Sequence, residues 1–153
     1  MTELIHHKHS IGQSAYHLVW RPKYNLKTFR FPNEREVCER ALREVAAKWG
    51  IKIYEMEVMM DHVHMFVEIP TTMTVSFALQ VLKGGSARIF LKKFPRTRAY
   101  LKKGHKQAHL WSPGKFFRSV GCVTADVVEG YIRNSNSWES EFLGAKRKAP
   151  GGR

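Results

Sequence analysis

Acidic residues are missing from a long part of this sequence, since none occurs between Glu68 and Asp126, and the whole chain contains only two cysteines. Cys38 and Cys122 are far apart and have neither CxxC nor CxxH spacing, which argues against a disulfide framework and a structural zinc knuckle. No apolar run approaches the roughly 18 residues of a membrane span, and the N-terminus lacks the apolar segment of a secretory signal. We therefore expect a cytoplasmic protein with buried or incidental thiols and no membrane partner.

Positive charge is the strongest global feature, because 26 Lys and Arg residues against 13 Asp and Glu residues give a net charge of +13. The segment that lacks acids is rich in basic side chains, which are interleaved with aromatic ones. Such a segment favours binding to a polyanion, with counterion release supplying much of the affinity. A merely basic surface or a contact with anionic lipid is the alternative. The residues predicted to contact DNA are Lys83, Arg88, Lys92, Lys93 and Arg118.

The length of 153 residues and the apolar content of 43% suit one ordinary domain with a real core. We predict a flexible leader over residues 1–13, one folded domain over 14–137 and a basic, disordered tail over 138–153. The folded part reads as strand, helix, strand, strand, helix, strand, helix. This order is a split β-α-β arrangement, which predicts an α+β fold of ferredoxin-like or RRM-like type, with an antiparallel sheet and helices mainly on one face.

Capping and turn signals set the expected boundaries of these elements. They predict a strand over 14–23 and then a helix with Asn33 as N-cap, Glu36 as its capping-box partner and Gly50 as stop. Strands over 51–59 and 62–69 follow, joined by a turn at Met60 and Asp61, and a second helix is capped by Thr74 and ended by Pro95. An exposed connector over 96–109 leads to a turn at Pro113 and Gly114 in the strand segment 111–120, and a last helix is capped by Thr124. Gly84 and Gly85 weaken the middle of the second helix and predict a bend or a close approach of DNA to the backbone.

One strand carries two histidines in His-x-His spacing. Side chains alternate between the faces of a strand, so His62, His64, Phe66 and Glu68 share one face of the strand over 62–69. Two imidazoles that lean together can bring their ring nitrogens to about 2 Å from one ion. The pair is therefore either half of a metal site or a solvated, hydrogen-bonded pair with no such role, and the spacing alone leaves both interpretations open.

Four segments in order make a more specific pattern than the histidines alone. The runs EVMMDHVHMFVEIP (57–70), LKGGSARIFLKKFP (82–95), LWSPGKFFRSVG (110–121) and TADVVEGYIRN (124–134) resemble the single-tyrosine HUH transposases of the insertion-sequence 200/605 family, over about residues 14–135. The resemblance implies the HUH endonuclease fold. It also implies that His62 and His64 bind a divalent ion, Mg²⁺ or Mn²⁺, and that Tyr131 is the catalytic nucleophile.

The implied activity is cleavage and rejoining of single-stranded DNA next to hairpins at the ends of an insertion sequence, through a 5′-phosphotyrosine intermediate. The implied assembly is a homodimer whose active sites combine the histidines of one subunit with the tyrosine helix of the other. The family places a Gln one turn after the tyrosine as a third metal ligand, whereas this chain has Ser135 there, between Asn134 and Asn136. Any of these three side chains or a water is thus a candidate ligand. A domesticated relative that binds or nicks hairpins and a non-catalytic nucleic-acid-binding module are the alternative functions.

Overall fold

The computed structural model describes residues 5–7, 10–12 and 15–120. Its elements in chain order are strands β1 (Ile5–His7), β2 (Ser10–Gly12) and β3 (Ala15–Pro22), a short 3-10 turn (Lys23–Asn25), helix α1 (Pro32–Trp49), strands β4 (Lys52–Val58) and β5 (Val63–Glu68), helices α2 (Val75–Lys93) and α3 (Pro95–Lys102), and strand β6 (Trp111–Val120). The predicted helix after Thr124 and the predicted tail lie outside the described residues. Among the described helices, none combines the length and the apolar character needed to cross a bilayer.

Four strands form an antiparallel sheet in the order β4-β5-β3-β6. Side chains from one face of this sheet, among them Leu18, Trp20, Met65 and Val67, join residues of α1 and α2 in a single buried apolar cluster. We call this side the helix-covered face. The sheet order and the helices on one face confirm the predicted antiparallel α+β fold.

The leader predicted over residues 1–13 contains a short ribbon in which β1 pairs with β2 in antiparallel register. The sequence pattern of this segment did not predict the pairing. Strands of three residues are too short for a period-2 pattern to be distinguished from chance.

An extra residue in β4 changes which of its side chains share a face with those of β5. Ile53 pairs with Val67, but the next pair in the ladder is Glu55 with Phe66, so Tyr54 is the additional residue of a β-bulge. Residues after the bulge are shifted by one relative to a regular ladder. Glu55 and Glu57 consequently lie on the face opposite to the helices, and Met56 and Val58 lie on the helix-covered face.

Helix α1 begins earlier than its capping signal predicted. Its N-cap is Phe31, Pro32 follows, and the Glu34 carboxylate accepts a 3.2 Å hydrogen bond from the Phe31 backbone N–H. The prediction of Asn33 and Glu36 as the capping pair is therefore wrong, because proline at the first helical position has a preset φ and no N–H to satisfy. Gly50 ends the helix as predicted, with φ of 71°.

Cys38 lies on the buried side of α1, as the sequence analysis allowed. Burial raises the pKa of the Cys38 thiol well above its ordinary value, and the nearby charge of Glu39 adds to this effect. A thiol in such surroundings stays protonated and inert. Cys122 lies outside the described residues.

Helix α2 runs from Val75 to Lys93 without a break at its two glycines, and the Thr74 hydroxyl accepts a 3.1 Å hydrogen bond from the Phe77 N–H as predicted. A Cβ on Gly85 would lie 2.6 Å from Cγ2 of Val45 in α1, whereas a Cβ on Gly84 would meet nothing within 4 Å. Gly85 thus permits close packing of α1 against α2. The close approach predicted for DNA at Gly85 is taken instead by another helix.

The connector predicted over 96–109 is partly wrong, because residues 95–102 form helix α3 with Leu101 buried. Pro95 was interpreted as the end of α2, but it also begins α3 from the first helical position. Pro113 and Gly114 do not form the predicted turn, since both lie inside β6. A proline is compatible with β6 because this strand is at the edge of the sheet that the described strands form.

Candidate metal and DNA site

The sheet face opposite to the helices carries imidazoles from two strands. His64 of β5 pairs with Val19 of β3, and His17 pairs with Phe66, so His17 and His64 are diagonal neighbours on this side, which we call the imidazole face. Val19, Phe66 and both histidines are at most 1% exposed. Burial of polar rings in this position requires hydrogen-bond partners.

His64 has a partner at each of its two ring nitrogens. Its Nδ1 lies 2.5 Å from Nε2 of His17, so one of these nitrogens donates a proton to the other. Its Nε2 lies 3.3 Å from Oε2 of Glu55, which reaches across from β4. The two rings are edge to face, with centroids 4.4 Å apart. His64 is therefore held in one orientation by neighbours on both flanking strands.

His62 precedes β5 in the turn that joins it to β4 and is buried to a similar degree. Its Nδ1 donates to the Asp61 carboxylate over 3.1 Å. In both predicted ligands, then, Nδ1 is engaged by a neighbour within the chain. In His62, Nε2 is consequently the nitrogen that can carry a lone pair for an ion, which is the arrangement commonly found in metal-ligating histidines. In His64, Nε2 donates to the Glu55 carboxylate, so an ion at this nitrogen would replace that hydrogen bond.

Glu68 extends the polar character of the imidazole face. It is buried, and its Oε1 has no hydrogen-bond partner among the described residues. Burial raises the pKa of Tyr54 to about 12, and the charge of Glu68 and its hydrogen bond with the Tyr54 hydroxyl add to this effect. The Tyr54 hydroxyl is thus the donor to the Glu68 carboxylate, and the Tyr54 ring lies against Phe66 with centroids 5.2 Å apart.

The donor atoms on this face are of types that bind a divalent ion, but their side chains are not arranged around a common point. Within the described residues, no three His, Cys, Asp or Glu side chains are already placed closely enough to hold one ion. Imidazole nitrogens and a carboxylate are nevertheless a donor set that Mn²⁺ and related ions accept. Tyr131, Asn134, Ser135 and Asn136 lie outside the described residues, so the predicted nucleophile and third ligand stay predictions.

The predicted DNA contacts fall on two sides of the sheet. Arg118 of β6 pairs with His17, so it shares the imidazole face and is exposed there. The other four belong to α2, which packs on the helix-covered face. Lys83 is half-buried and its Nζ donates to the Ser112 carbonyl over 2.7 Å, so it also ties α2 to β6.

A basic groove lies beside α2 and continues onto α3. Its lining includes five cationic side chains from α2, α3 and the segment after α3: Arg88, Lys92, Arg98, Lys102 and Lys106. Arg88 also lines an adjoining cleft with Lys23, His109 and Trp111. Groups of one charge sign in a concavity attract a polyanion more strongly than scattered charges do. The sequence prediction placed the whole basic region over 83–118 against the phosphates and named Arg88 and Lys92 individually, but it did not predict α3, because that segment was interpreted as a connector.

Sequence reasoning also missed His17 and Glu55. His17 was placed on a strand but received no role, although it is a polar residue in an otherwise apolar run. Glu55 was hidden because the bulge at Tyr54 breaks the alternation. A signal for the bulge exists in the sequence, since the apolar residues Ile53, Met56 and Val58 are spaced by three and then by two.

Comparisons with known proteins agree with this architecture. The family model described as "Transposase IS200 like" matches residues 10–135. The chain is 30% identical over 142 residues to the transposase for insertion sequence element IS200 of Salmonella typhimurium, covering 93% of this chain and 88% of that protein. It is 29% identical over 129 residues to the ISDra2 transposase TnpA of Deinococcus radiodurans, covering 84% and 89%.

Two solved structures share the fold. A Deinococcus radiodurans protein assigned as a transposase superposes with a TM-score of 0.66 at 27% identity, covering 86% of this chain and 97% of that one. A REP-associated tyrosine transposase bound to a REP hairpin superposes with a TM-score of 0.53 at 15% identity, covering 90% and 74%. The second likeness concerns the fold alone.

Proposed function

Because the chain belongs to the family of IS200-like transposases, we propose that it cleaves and rejoins single-stranded DNA next to hairpins at the ends of an insertion sequence. The observation that carries the proposal is the pair His62 and His64, both buried, each with its Nδ1 engaged by a neighbour in the chain. That arrangement suits ligation of an ion through Nε2 of His62, and through Nε2 of His64 when the ion replaces the hydrogen bond to Glu55.

In this proposal His62 and His64 hold a divalent ion, Mg²⁺ or Mn²⁺, and orient the scissile phosphate beside it. When bound, the ion supplies Lewis-acid polarisation of the phosphate. Tyr131 supplies the nucleophile: a bond forms between its phenolic oxygen and phosphorus while the bond from phosphorus to the 3′ oxygen breaks. The phenolic proton is lost and the 3′ oxygen gains one, which leaves a 5′-phosphotyrosine and a free 3′-hydroxyl. Attack by another 3′-hydroxyl reverses the step and rejoins strands without an external energy source.

The exposed cations have a separate role, which is to hold the DNA. Arg118 lies on the imidazole face, where it can contact a phosphate close to His64. The basic groove of α2 and α3 lies in the helical layer and is suited to the backbone of the paired stem. The hairpin carried by the solved REP-associated relative supports the choice of a stem-loop as the ligand. We further propose a homodimer with composite active sites, on the strength of the family resemblance.

Incubating a labelled hairpin oligonucleotide with the protein and Mg²⁺ or Mn²⁺ tests the proposal. We expect a covalent protein–DNA adduct on a denaturing gel, and we expect Tyr131→Phe to abolish it because only the phenolic oxygen is removed. Tyr24→Phe is the matched control, since Tyr24 is 58% exposed in the turn after β3 and has no assigned role. An adduct that survives Tyr131→Phe contradicts the assignment of the nucleophile. Hairpin binding without any adduct, with either ion, favours the non-catalytic module.

The domesticated relative differs from a mobile element only in what it acts on. Both would form the adduct, so the test above does not separate them. Matching hairpins on both sides of the gene indicate a mobile element, and isolated chromosomal hairpins that bind equally well favour the domesticated function.

A further inference from the structure

The two most exposed aromatic side chains of the described residues lie in one cleft. Phe31 is 60% exposed at the start of α1, and Tyr100 is 64% exposed on α3. The cleft between them is also lined by three exposed cationic side chains, Lys27, Arg30 and Arg96. We call these five residues the aromatic cleft. Exposed apolar rings that share a concavity with several cations are typical of a binding surface.

The cations of the aromatic cleft can pair with an external anion. Within the described residues, none of the three forms a salt bridge. The one carboxylate among the described lining residues belongs to Glu34, and its Oε2 accepts the hydrogen bond from the Phe31 backbone N–H that begins α1. Exposed cations of this kind favour a polyanionic ligand, because phosphates that they neutralise release counterions.

The ring of Phe31 is carried by a well-anchored segment of backbone. Phe29, two residues earlier, is fully buried, and its ring centroid lies 5.4 Å from those of both Phe90 and Trp111. Pro32 follows Phe31 and restricts the backbone of the residue before it. A ring whose backbone is fixed before binding loses little conformational entropy when a ligand stacks on it.

Helix α3 separates the aromatic cleft from the basic groove. Arg96 and Tyr100 are four residues apart, so they share one side of the helix, and both line the cleft. Arg98 and Lys102 are likewise four residues apart, and both line the basic groove. Arg96 and Arg98 are two residues apart, which places them on nearly opposite sides of a helix. A ligand that occupies both surfaces must therefore cross α3.

The aromatic cleft also adjoins the end of the sheet at which His62 lies. The Phe29 N–H donates to the Met60 carbonyl over 3.2 Å, and Met60 is in the turn between β4 and β5. Phe31 and His62 are each two residues from this hydrogen-bonded pair. Because consecutive Cα atoms are about 3.8 Å apart, the Cα atom of each lies within about 8 Å of that of its partner in the pair. The order of surfaces is thus basic groove, α3, aromatic cleft and the turn that leads to His62.

We propose that the aromatic cleft binds the unpaired DNA strand that flanks the hairpin stem, with bases stacked on Phe31 and Tyr100 and phosphates held by the three cations. This inference rests on the proposed function, because it names a further contact of the same DNA. The faces of the bases are accessible in an unpaired strand, whereas a duplex stacks them on one another and offers only edges and backbone. The ligand of this cleft is consequently single-stranded, while the stem occupies the basic groove.

Fluorescence anisotropy of the full-length protein in EDTA tests this proposal without cleavage. The probes are a blunt stem-loop, the same stem-loop with about ten unpaired thymidines added on one side or the other, and the same extensions made of abasic residues, which keep the phosphates and lack the bases. We expect the wild type to bind a thymidine extension more tightly than its abasic counterpart. Phe31→Ala should weaken binding of that thymidine probe by about fivefold or more. Its affinity for the blunt and abasic probes should stay within about twofold of the wild type, because the change removes a ring and no charge.

Two further variants make the readout specific for stacking. Phe31→Trp should restore the preference for thymidine, since an indole also stacks on bases. Phe77→Ala is the matched control, because Phe77 is 39% exposed near the start of α2 and lines a cleft with Pro70, at the end of β5 opposite to Met60. It should leave every affinity within about twofold of the wild type. Circular dichroism and melting temperatures verify that the variants fold.

Equal affinity of the wild type for the thymidine and abasic extensions would overturn the proposal, since no base would then be stacked. An equal loss for all probes in Phe31→Ala would overturn it as well, because it indicates a contact with the stem or a structural role. If that variant leaves every DNA affinity unchanged and instead reduces self-association in sedimentation, the cleft belongs to a second copy of the chain and the proposal is wrong. A wild type that prefers the thymidine extension but forms no covalent adduct with either ion refutes the proposed cleavage and leaves this inference intact.

Discussion

Both faces of the central sheet contain buried side chains, but these are of different chemistry. On the helix-covered face, Leu18, Trp20 and Met65 pack against apolar residues of α1 and α2. On the imidazole face, His17, His64 and Glu68 are buried as well, and their polar atoms contact side chains from neighbouring strands. Burial of apolar groups stabilises a fold, whereas burial of polar groups costs free energy unless their partners are in place. Solvent exposure alone therefore does not distinguish the hydrophobic core from the candidate site in this sheet. The presence of hydrogen-bonded polar side chains does.

The largest effect should come from removing one imidazole. We expect His64→Ala to abolish formation of the covalent adduct, since the ion would lose a ligand, while hairpin affinity stays within a few fold because phosphate contacts dominate it. A denaturing gel measures the adduct, and a filter-binding assay measures affinity. A large loss of affinity together with a lower melting temperature would mean that the imidazole face is structural, like the face opposite.

A single methyl group added where α2 packs against α1 should change the stability of the protein. Gly85→Ala places a Cβ against Val45, so we expect a loss of about 1–3 kcal/mol in the free energy of unfolding from overpacking. Gly84→Ala is the matched control and should raise stability by about 0.5–1 kcal/mol, because an exposed helical glycine is replaced without a clash. Urea denaturation measures both. Equal effects at the two positions would contradict the close packing of α1 and α2.

The contribution of the basic groove to DNA binding can be distinguished from that of the two sheet faces by the salt dependence of the affinity. Replacing Lys92 of this groove and the adjacent exposed Lys93 together by alanine should reduce the slope of log affinity against log salt by about 1.5, since each phosphate contact contributes about 0.7–0.9. Arg43 and Lys48, also exposed but on α1, provide the control double variant. An unchanged slope for the α2 variant would remove this part of α2 from the DNA-binding surface.

The smallest expected effect is on the pH dependence of stability, through Tyr54 and its hydrogen bond with Glu68. The pKa of Tyr54 is raised from 10.0 in the unfolded chain to about 12, so the protonated hydroxyl is favoured by folding. Its contribution to stability is complete below pH 10 and is lost as the pH rises toward 12. We expect Tyr54→Phe to lower stability at pH 8 and to flatten the decline between pH 10 and 12 in chemical denaturation curves. A decline of the same steepness in the variant would assign that pH dependence to other groups.

The sequence predicted β3, α1, β4, β5, α2 and β6 in their observed order and the side of β5 that carries His64, but it did not predict β1, β2 or α3. It did so because alternation in β3 and β5 and the helix stops at Gly50 and Pro95 depend on local chemistry. It was wrong where proline has two compatible roles: Pro32 and Pro95 begin helices, and Pro113 sits inside an edge strand. Local signals do not choose between these roles, since packing against the rest of the domain makes the choice.

The site was predicted only in the part that lies on one strand. His62 and His64 are neighbours in sequence, and their spacing was visible without a fold. His17 and Glu55 reach His64 from β3 and β4, so their contacts depend on the register of two strand pairs. Register is a long-range property, and a shift of one residue moves every side chain to the other face. Side-chain contacts between neighbouring strands therefore cannot be predicted from the order of residues along the chain.

The additional residue at Tyr54 gives the number of residues in β4 an importance separate from their identity. In a regular ladder continued from the pair of Ile53 and Val67, Glu55 would oppose Met65 beneath the helices, and Met56 would oppose His64. A β4 strand one residue shorter, without Tyr54, would by contrast keep Glu55 opposite Phe66 and Glu57 opposite His64 in a regular ladder, without altering any of the histidines. The bulge can therefore absorb a loss of one residue without moving the carboxylates of β4 to the other face, although the hydrogen bond between Tyr54 and Glu68 would be lost with it.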